Sequence, residues 1–300
     1  MESLRHLIHE SIDLRHEGPM PSAYHAAHRR PSLDVYLLGS FLVIVNGTLI
    51  ESWPTGKAKM ILKYLLLHRQ GAVSREALMD TFWPGTDREG ARNCLNVTMH
   101  RLRRAIRPTP GAAPIVALHD GYFRFNQDVE LWSDIDAFLA QFAEARALDL
   151  RDTARAMHAY AGCVALYKGE LLAEDGYESW LEPVRQQYRD AYLAALDRLS
   201  RFHFAEENYL ACIETSVKIL MVDGCNEQAH CHLMRCYARL GQPRLAQLQY
   251  RQCVSSLARE LGMPPAVDTS DLYRRIARRE ADCHRLTEIG HPGKRVDSPR

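Results

Sequence analysis

The chain has 300 residues, of which 46% are hydrophobic and 25% charged, and its formal net charge is +1. This composition is typical of a soluble globular protein with two domains and excludes a largely disordered chain. No apolar run approaches the roughly 18 residues of a membrane span, and the first 30 residues lack the apolar segment of a secretory signal. We therefore expect a cytoplasmic protein, away from the membrane, whose eight cysteines form no disulfides.

Charge is unevenly distributed along the chain. Residues 32–131 contain 12 Lys and Arg residues against 9 acidic residues, a net +3, whereas residues 133–280 contain 18 against 21, a net −3. The segment 87–107 alone contains six arginines and two acidic residues. An anionic partner is therefore expected to bind this segment.

The chain begins with a His- and Pro-rich leader, residues 1–31, which shows no sustained period and is predicted to be disordered. From Leu33 the sequence is rich in β-branched and aromatic residues. Asn46-Gly47 separates two apolar runs, a strong hairpin signal because both turn residues must adopt positive φ. A small antiparallel sheet is predicted here.

Three helices and a second hairpin follow. The first helix places Ala58, Ile61, Leu62 and Leu65 at helical spacing and stops at Gly71. Ser74 is the predicted N-cap of the second helix, and Thr86 with Glu89 has the spacing of a capping box at the start of the third. Asp120-Gly121 predicts the closing hairpin. The first domain, residues 32–131, therefore reads as sheet, three helices and hairpin.

From Asp134 the pattern is helical almost to the end. Helix pairs are predicted at 134–148 with 152–167, 185–203 with 206–221, and 227–240 with 242–261. The last two pairs align with an offset of 35, which superimposes Phe202 on Tyr237, Ala211 on Ala246 and Ile213 on Leu248. This period predicts a tetratricopeptide-like (TPR-like) array over residues 132–280. The fold class is mainly α with a small β component, and residues 281–300 read as a disordered tail.

The third helix of the first domain has two distinct faces. A helical wheel collects Ala91, Leu95, Thr98, Leu102, Ala105 and Ile106 on one side. The other side collects Asn93, Asn96, His100, Arg103, Arg104 and Arg107, with Arg92 on the flank. Most charged faces are merely solvated, but this one has almost no acid, and Asn and Arg match adenine and guanine edges in the major groove. With a hairpin whose Tyr122 and Arg124 can reach the backbone, this predicts a winged helix-turn-helix with recognition helix 87–107.

Two sets of motifs in a fixed order resemble a known family over roughly residues 33–280. The blocks LLGSFLVIVNG, KAKMILKYLLLH, VSREALMDTFWPG and ARNCLNVTMHRLRRAI resemble the OmpR-like winged helix of the SARP/BTAD bacterial transcriptional regulators. The blocks DIDAFLAQF, LYKGELLAEDGYESWLEPVRQQY, AHCHLMRCYARLGQPRLAQLQYRQCVSSLARELGMPP and LYRRI resemble the bacterial transcriptional activator domain that follows it. The resemblance implies a DNA-binding regulator, an activator in most members, and not an enzyme.

The resemblance also implies site residues and partners. It places the DNA-binding helix on 92–107, where Arg92, Asn93 and the run Arg101 to Arg104 match motif positions. Asn96 and His100 occupy outward positions that the motif leaves open, so they are candidates for base readout; His100 stands where a small residue is common. Lys57 and Lys59 are candidates for phosphate contacts or, equally, solvated residues of a helix start. Members commonly bind direct repeats in double-stranded promoter DNA as head-to-tail pairs and help recruit RNA polymerase, which implies a homodimer on nucleoid DNA. The helical domain is then expected to mediate dimerisation, polymerase contact or the response to a signal.

Other chemistry is less well supported by the sequence. Cys231, His230 and His232 are crowded together, but adjacent helical residues point about 100° apart and cannot share one tetrahedral ion. There is no phosphate-binding GxxxxGK[ST] stretch and no nucleophile elbow. Asp134 and Asp136 fit the positive end of a helix better than a catalytic pair. No cofactor or metal is expected. The alternative function is a protein-interaction scaffold in which the helical repeats act and the winged helix contacts protein instead of DNA.

Overall fold

The computed structural model describes residues 30–108, 113–176 and 178–289. The leader predicted for residues 1–31 falls almost wholly outside this range, as does the end of the predicted tail. The last described helix continues to Ile289, past residue 281, where the sequence predicted the disordered tail to begin. The predicted fold class, mainly helical with a small sheet component, is confirmed.

The described residues form seven strands and ten helices. The strands are β1 (Ser32–Tyr36), β2 (Leu42–Val45), β3 (Thr48–Leu49), β4 (Val73–Ser74), β5 (Val116–His119), β6 (Tyr122–Phe125) and β7 (Glu130–Ser133). The helices are α1 (Ala58–Leu67), α2 (Arg75–Phe82), α3 (Arg88–Ala105), α4 (Asp134–Leu148), α5 (Thr153–Leu166), α6 (Glu182–Ala205), α7 (Tyr209–Val222), α8 (Glu227–Arg239), α9 (Pro243–Glu260) and α10 (Val267–Ile289). Within the described ranges, no helix combines the length and apolar character needed to cross a bilayer.

The described chain divides into two compact units. The first contains residues 30–34 and 43–131, and the second contains residues 35–42 and 132–289. The strands form two sheets, one with the order β3-β2-β1-β7 and one with the order β4-β6-β5.

Both predicted hairpin turns are confirmed. Val45 pairs with Thr48 across Asn46-Gly47, and His119 pairs with Tyr122 across Asp120-Gly121. Asn46 and Asp120 both have φ of 49°, and the glycines that follow them have φ of 78° and 84°. Positive φ at both central residues is the geometry of a type I′ turn, whose twist matches that of the flanking strands.

Helices α2 and α3 each begin at a residue whose side chain caps the first turn. Ser74 caps α2, as predicted, by accepting a hydrogen bond from Ala77 N at 3.0 Å. The predicted capping box of α3 is wrong, because Asp87 rather than Thr86 occupies the cap and accepts from Gly90 N at 3.1 Å. Asp87 has an extended backbone with φ of −61° and ψ of 155°, so the helix starts one residue later than a Thr86 cap would require.

The second unit stacks its helices in sequence order, as the repeat offset predicted. The pairs α4 with α5, α6 with α7 and α8 with α9 each pack together, and each pair contacts the next. The last helix, α10, packs on α8 and α9, where Met234, Ala246 and Leu272 share one apolar cluster. The small buried side chain of Ala246 allows the close helix approach that a TPR-like array needs.

A buried carboxylate fixes the segment 35–42 within the second unit. Asp134 accepts hydrogen bonds from Leu37 N and Leu38 N at 2.8 Å, in addition to lying in the first turn of α4. Burial raises the pKa of Asp134 to about 6, although these backbone donors favour its ionised form. The segment is further held by Leu172 N, which donates to Leu37 O at 2.8 Å. Asp134 therefore has a structural role beyond the helix-end role that the sequence predicted.

Candidate nucleic-acid interface

Helix α3 lies against the core of the first unit through a nearly inaccessible apolar stripe. It packs on α1 and α2, and its buried residues are Ala91, Leu95, Met99, Leu102 and Ile106. The predicted stripe is corrected at three positions: Met99, which it left out, is buried, whereas Thr98 and Ala105 are only half-buried. The Thr98 hydroxyl instead donates to Cys94 O at 2.7 Å, which satisfies this group within its own helix.

The opposite side of α3, which we call the outward face, is rich in cationic and amide side chains. Its exposed predicted residues are Arg92, Asn93, Asn96, His100, Arg104 and Arg107, and Arg101 is exposed beside them. Glu89, in the first turn, is the single acidic residue of α3. The outward face therefore combines positive charge with planar hydrogen-bonding groups, which suits a duplex groove.

Arg103 departs from the predicted outward group. Its side chain is half-buried, and its Nε donates a hydrogen bond to the carbonyl oxygen of Val116 at 2.9 Å. Burial lowers the pKa of the Arg103 guanidinium. This geometry joins α3 to β5, the first strand of the second hairpin, so Arg103 holds the hairpin in position.

The hairpin β5-β6, which we call the wing, is anchored to the fold on one side and exposed on the other. Phe123 is buried, while its neighbours Tyr122 and Arg124 point to the opposite face of the strand and are exposed. The wing also pairs with β4, because Val73 lies opposite Phe123 in an antiparallel register. This anchoring gives Arg124 and Tyr122 a fixed place beside α3 in the same unit.

The two lysines near the start of α1 are both engaged in the fold. Lys57 Nζ donates to Phe82 O, at the end of α2, and lies 5.1 Å from the ring centroid of Trp83. Lys59 is half-buried and also makes a contact within the protein. Lys57 is exposed to solvent and at the same time links the start of α1 to the end of α2.

The Cys and His residues of α8 contact separate neighbours. His230 hydrogen-bonds Gln249 at 2.6 Å and Gly224 O at 3.1 Å, Cys231 contacts Thr269, and His232 contacts Gln228. In the part of the chain that the structure describes, no group of three or more His, Cys, Asp or Glu side chains is arranged to hold a metal ion. The seven cysteines between residues 30 and 278 are free thiols.

The second unit contains an open groove that the sequence did not reveal. Its volume is about 1230 Å³, and it is lined by residues of α5, α6 and α7 and of the turn 167–170. Met157, Val164 and Leu199 give it an apolar surface, and the ion pair of Glu170 with Arg189 lies within it. Its lining residues come from three successive helices, and the way these helices pack decides which side chains share the surface, so local patterns carry no signal for it.

Comparison with known proteins assigns both units. Residues 52–122 match the family model described as Transcriptional regulatory protein, C terminal. Residues 133–277 match the model of the Bacterial transcriptional activator domain. The chain belongs to the SARP/BTAD family of bacterial transcriptional regulators. The predicted winged helix and TPR-like repeat domain are thereby confirmed, and the family is one of transcriptional regulators rather than enzymes.

One solved structure agrees with this fold. Mycobacterium tuberculosis EmbR, solved in complex with a low affinity phosphopeptide, matches with a TM-score of 0.65 at 21% identity. The match covers 83% of this chain and 66% of the EmbR chain, and at this identity it shows the fold alone. The C-terminal TPR-containing domain of the Plasmodium falciparum putative FK506-binding protein PFL2275c matches with a TM-score of 0.39 at 12% identity, over 51% of this chain and 93% of that one. No curated protein matches the chain.

Proposed function

We propose that this SARP/BTAD regulator is a sequence-specific activator that binds promoter DNA with α3 in the major groove. The observation that carries the proposal is the outward face of α3, where exposed Arg, Asn and His side chains lie opposite a fully packed apolar stripe. An α-helix fits the major groove, and Asn and Arg side chains match the donor and acceptor patterns of adenine and guanine there.

The residues of the interface divide into three roles. Asn93, Asn96 and His100 lie on consecutive turns and read base edges. Arg92, Arg104 and Arg107, together with Arg124 and Tyr122 of the wing, bind phosphates or guanine edges. Arg103 is a positioning residue, because its hydrogen bond to Val116 fixes the wing relative to α3. Lys57 and Lys59 are further candidates for phosphate contacts, although Lys57 Nζ already donates to Phe82 O and Lys59 makes a contact within the protein.

The helical domain supplies contacts to proteins. We infer that it pairs two copies head to tail on direct repeats and contacts RNA polymerase, as the family resemblance implies. Its open groove between α5, α6 and α7 offers a concave surface of the kind that TPR-like arrays use for partners. The net negative charge of residues 133–280 makes the helical domain poorly suited to bind DNA itself.

A protein-interaction scaffold is the second candidate function, and one observation favours it. Helix α7 exposes Leu210, Val217 and Met221, and Met221 is 80% exposed. Their spacing of seven and four residues places them on one face of the helix, and such an apolar row marks a surface for a protein partner. In this alternative the winged helix contacts protein, and the chain has no affinity for duplex DNA.

Selection from random duplex DNA tests the proposal. The purified full chain is incubated with a randomised pool at near-physiological salt, and the retained duplexes are sequenced. The matched variants are Arg104→Ala, on the outward face, and Arg244→Ala, an exposed arginine of α9. We expect the wild type and Arg244→Ala to enrich one repeated motif and Arg104→Ala to retain less DNA. No retention by the wild type would overturn the proposal and favour the scaffold.

A further inference from the structure

The outward face of α3 contains one apolar side chain among its polar ones. Val97 is 52% exposed, although the other branched aliphatic side chains of α3, Leu95 and Leu102, are buried. At 100° per residue, Val97 points nearly opposite the centre of the buried stripe formed by Leu95, Leu102 and their neighbours. It therefore lies on the exposed side of α3, between the exposed side chains of Arg104 and Arg101.

Val97 has no evident function in the free protein. Its neighbours one turn away along α3 are Asn93 and Cys94 before it and His100 and Arg101 after it, all exposed, so it has no aliphatic partner on its helix. As a β-branched residue it also favours the helix less than Ala or Arg would. Neither packing nor helix propensity thus accounts for an exposed valine at this place.

The chemistry of the major groove supplies an account. Each thymine presents there a 5-methyl group, the one apolar feature of the base edges, and contact with an apolar side chain distinguishes it from cytosine. We propose that Val97 contacts the 5-methyl group of one thymine in each half-site, between bases read by Asn96 and His100. This inference rests on the proposed function and adds a requirement to it: the operator half-site contains a thymine whose methyl group contributes to affinity.

A double-variant cycle, which removes the two γ-methyl groups of Val97 and the 5-methyl group of thymine, tests this contact directly. Thymine is replaced by deoxyuridine, which lacks only the 5-methyl group, at each thymine of the selected operator in turn. Binding of each duplex to wild type, Val97→Ala and the control Val267→Ala, an exposed valine at the start of α10, is measured by fluorescence anisotropy. Circular dichroism establishes that Val97→Ala keeps its helix content, which we expect because the side chain is exposed and Ala favours helices.

We expect wild type and Val267→Ala to lose about fourfold in affinity at one thymine per half-site, the effect of burying about one methyl group. Val97→Ala is expected to bind the thymine and deoxyuridine duplexes equally well at that position. Three results would overturn the inference: equal sensitivity of Val97→Ala and wild type, no sensitive thymine in wild type, or an operator without thymine. These results leave the proposed function intact when an operator is found, whereas absence of any duplex binding overturns both.

Discussion

Arg103 joins the recognition helix to the wing, since its Nε donates to the carbonyl oxygen of Val116 at 2.9 Å. The side chain crosses from α3 to β5 and is half-buried there, which distinguishes it from its exposed neighbour Arg104. Two adjacent arginines of one motif therefore have different roles. Arg103 sets the geometry of the DNA-binding surface, and Arg104 supplies charge to it.

The two roles predict different changes in the free energy of unfolding when each arginine is replaced by alanine. Arg103→Ala removes the hydrogen bond to Val116, and we expect it to lower the free energy of unfolding by about 1 kcal/mol. Arg104→Ala changes an exposed side chain, and we expect its effect to be within about 0.5 kcal/mol. Urea unfolding monitored by circular dichroism measures both. Equal stability of the two variants would show that the Arg103 bond does not hold the wing.

The salt dependence of DNA binding measures the charge that Arg104 contributes. If Arg104 binds a phosphate, its replacement by Ala reduces the slope of log K against log salt by about 0.9. Affinity should fall for operator and unrelated duplexes alike, because a phosphate contact carries no sequence information. Titrations between low and physiological salt give the slope. An unchanged slope would remove Arg104 from the phosphate contacts.

Asn96 is expected to act on sequence preference. Asn96→Ala removes an amide that can pair with the edge of adenine, so we expect a loss of about 1 to 3 kcal/mol on the operator and little change on unrelated duplexes. Competition between duplexes that differ at single base pairs locates the affected position. Asn96 would not be a base-reading residue if the variant kept the wild-type preference at every position.

The cap of α3 can be tested with two neighbouring variants. Asp87→Ala removes the side chain that accepts from Gly90 N, and we expect a loss of about 1 kcal/mol in the free energy of unfolding. Thr86→Ala is the matched control and should have almost no effect, because Asp87 already occupies the cap. A larger loss in Thr86→Ala than in Asp87→Ala, measured by the same urea unfolding, would restore the capping box that the sequence suggested.

Asp134 makes stability depend on pH. Burial raises its pKa to about 6 in the folded protein, above the value of about 3.9 in an unfolded chain. The folded state thus binds this proton more tightly, so the stability contributed by the protonated carboxyl is fully present below about pH 4 and is lost as pH rises through about 6. The change is on the order of 3 kcal/mol.

Asp134→Asn tests this origin, because the amide keeps an oxygen that accepts from Leu38 N and cannot ionise. The difference in unfolding free energy between wild type and variant should shift in favour of the variant between pH 4 and pH 6.5. Parallel pH profiles for the two proteins would assign the dependence to other groups.

Much of the fold follows from local sequence, and the exceptions have a common cause. The hairpins at Asn46-Gly47 and Asp120-Gly121 and the helix pairs of the second unit are encoded by turn chemistry and periodicity, which act over a few residues. The bonds of Asp134 to Leu37 and of Arg103 to Val116 join segments 97 and 13 residues apart. A helical wheel gives the direction of Arg103 but not the strand that lies there.

In the candidate site, too, some features follow from local sequence and others depend on tertiary packing. The two faces of α3 could be predicted from composition and spacing, including Asn96 and His100. The partners of Lys57 depend on how α1 packs against α2. That Met99 is buried, where the sequence predicted Thr98, depends on how far the buried stripe extends around the helix. By residue type alone Val97 resembles a core residue, and its position on the helical wheel together with its 52% exposure marks it as part of the outward face.

The central claim is tested most directly by the affinity of the full chain for its selected operator and for a scrambled duplex of equal composition, measured side by side at near-physiological salt. A sequence-specific regulator is expected to prefer the operator by about 10³-fold or more. Equal affinity for the two duplexes, or binding to neither, would contradict the assignment of α3 as a reader of DNA sequence.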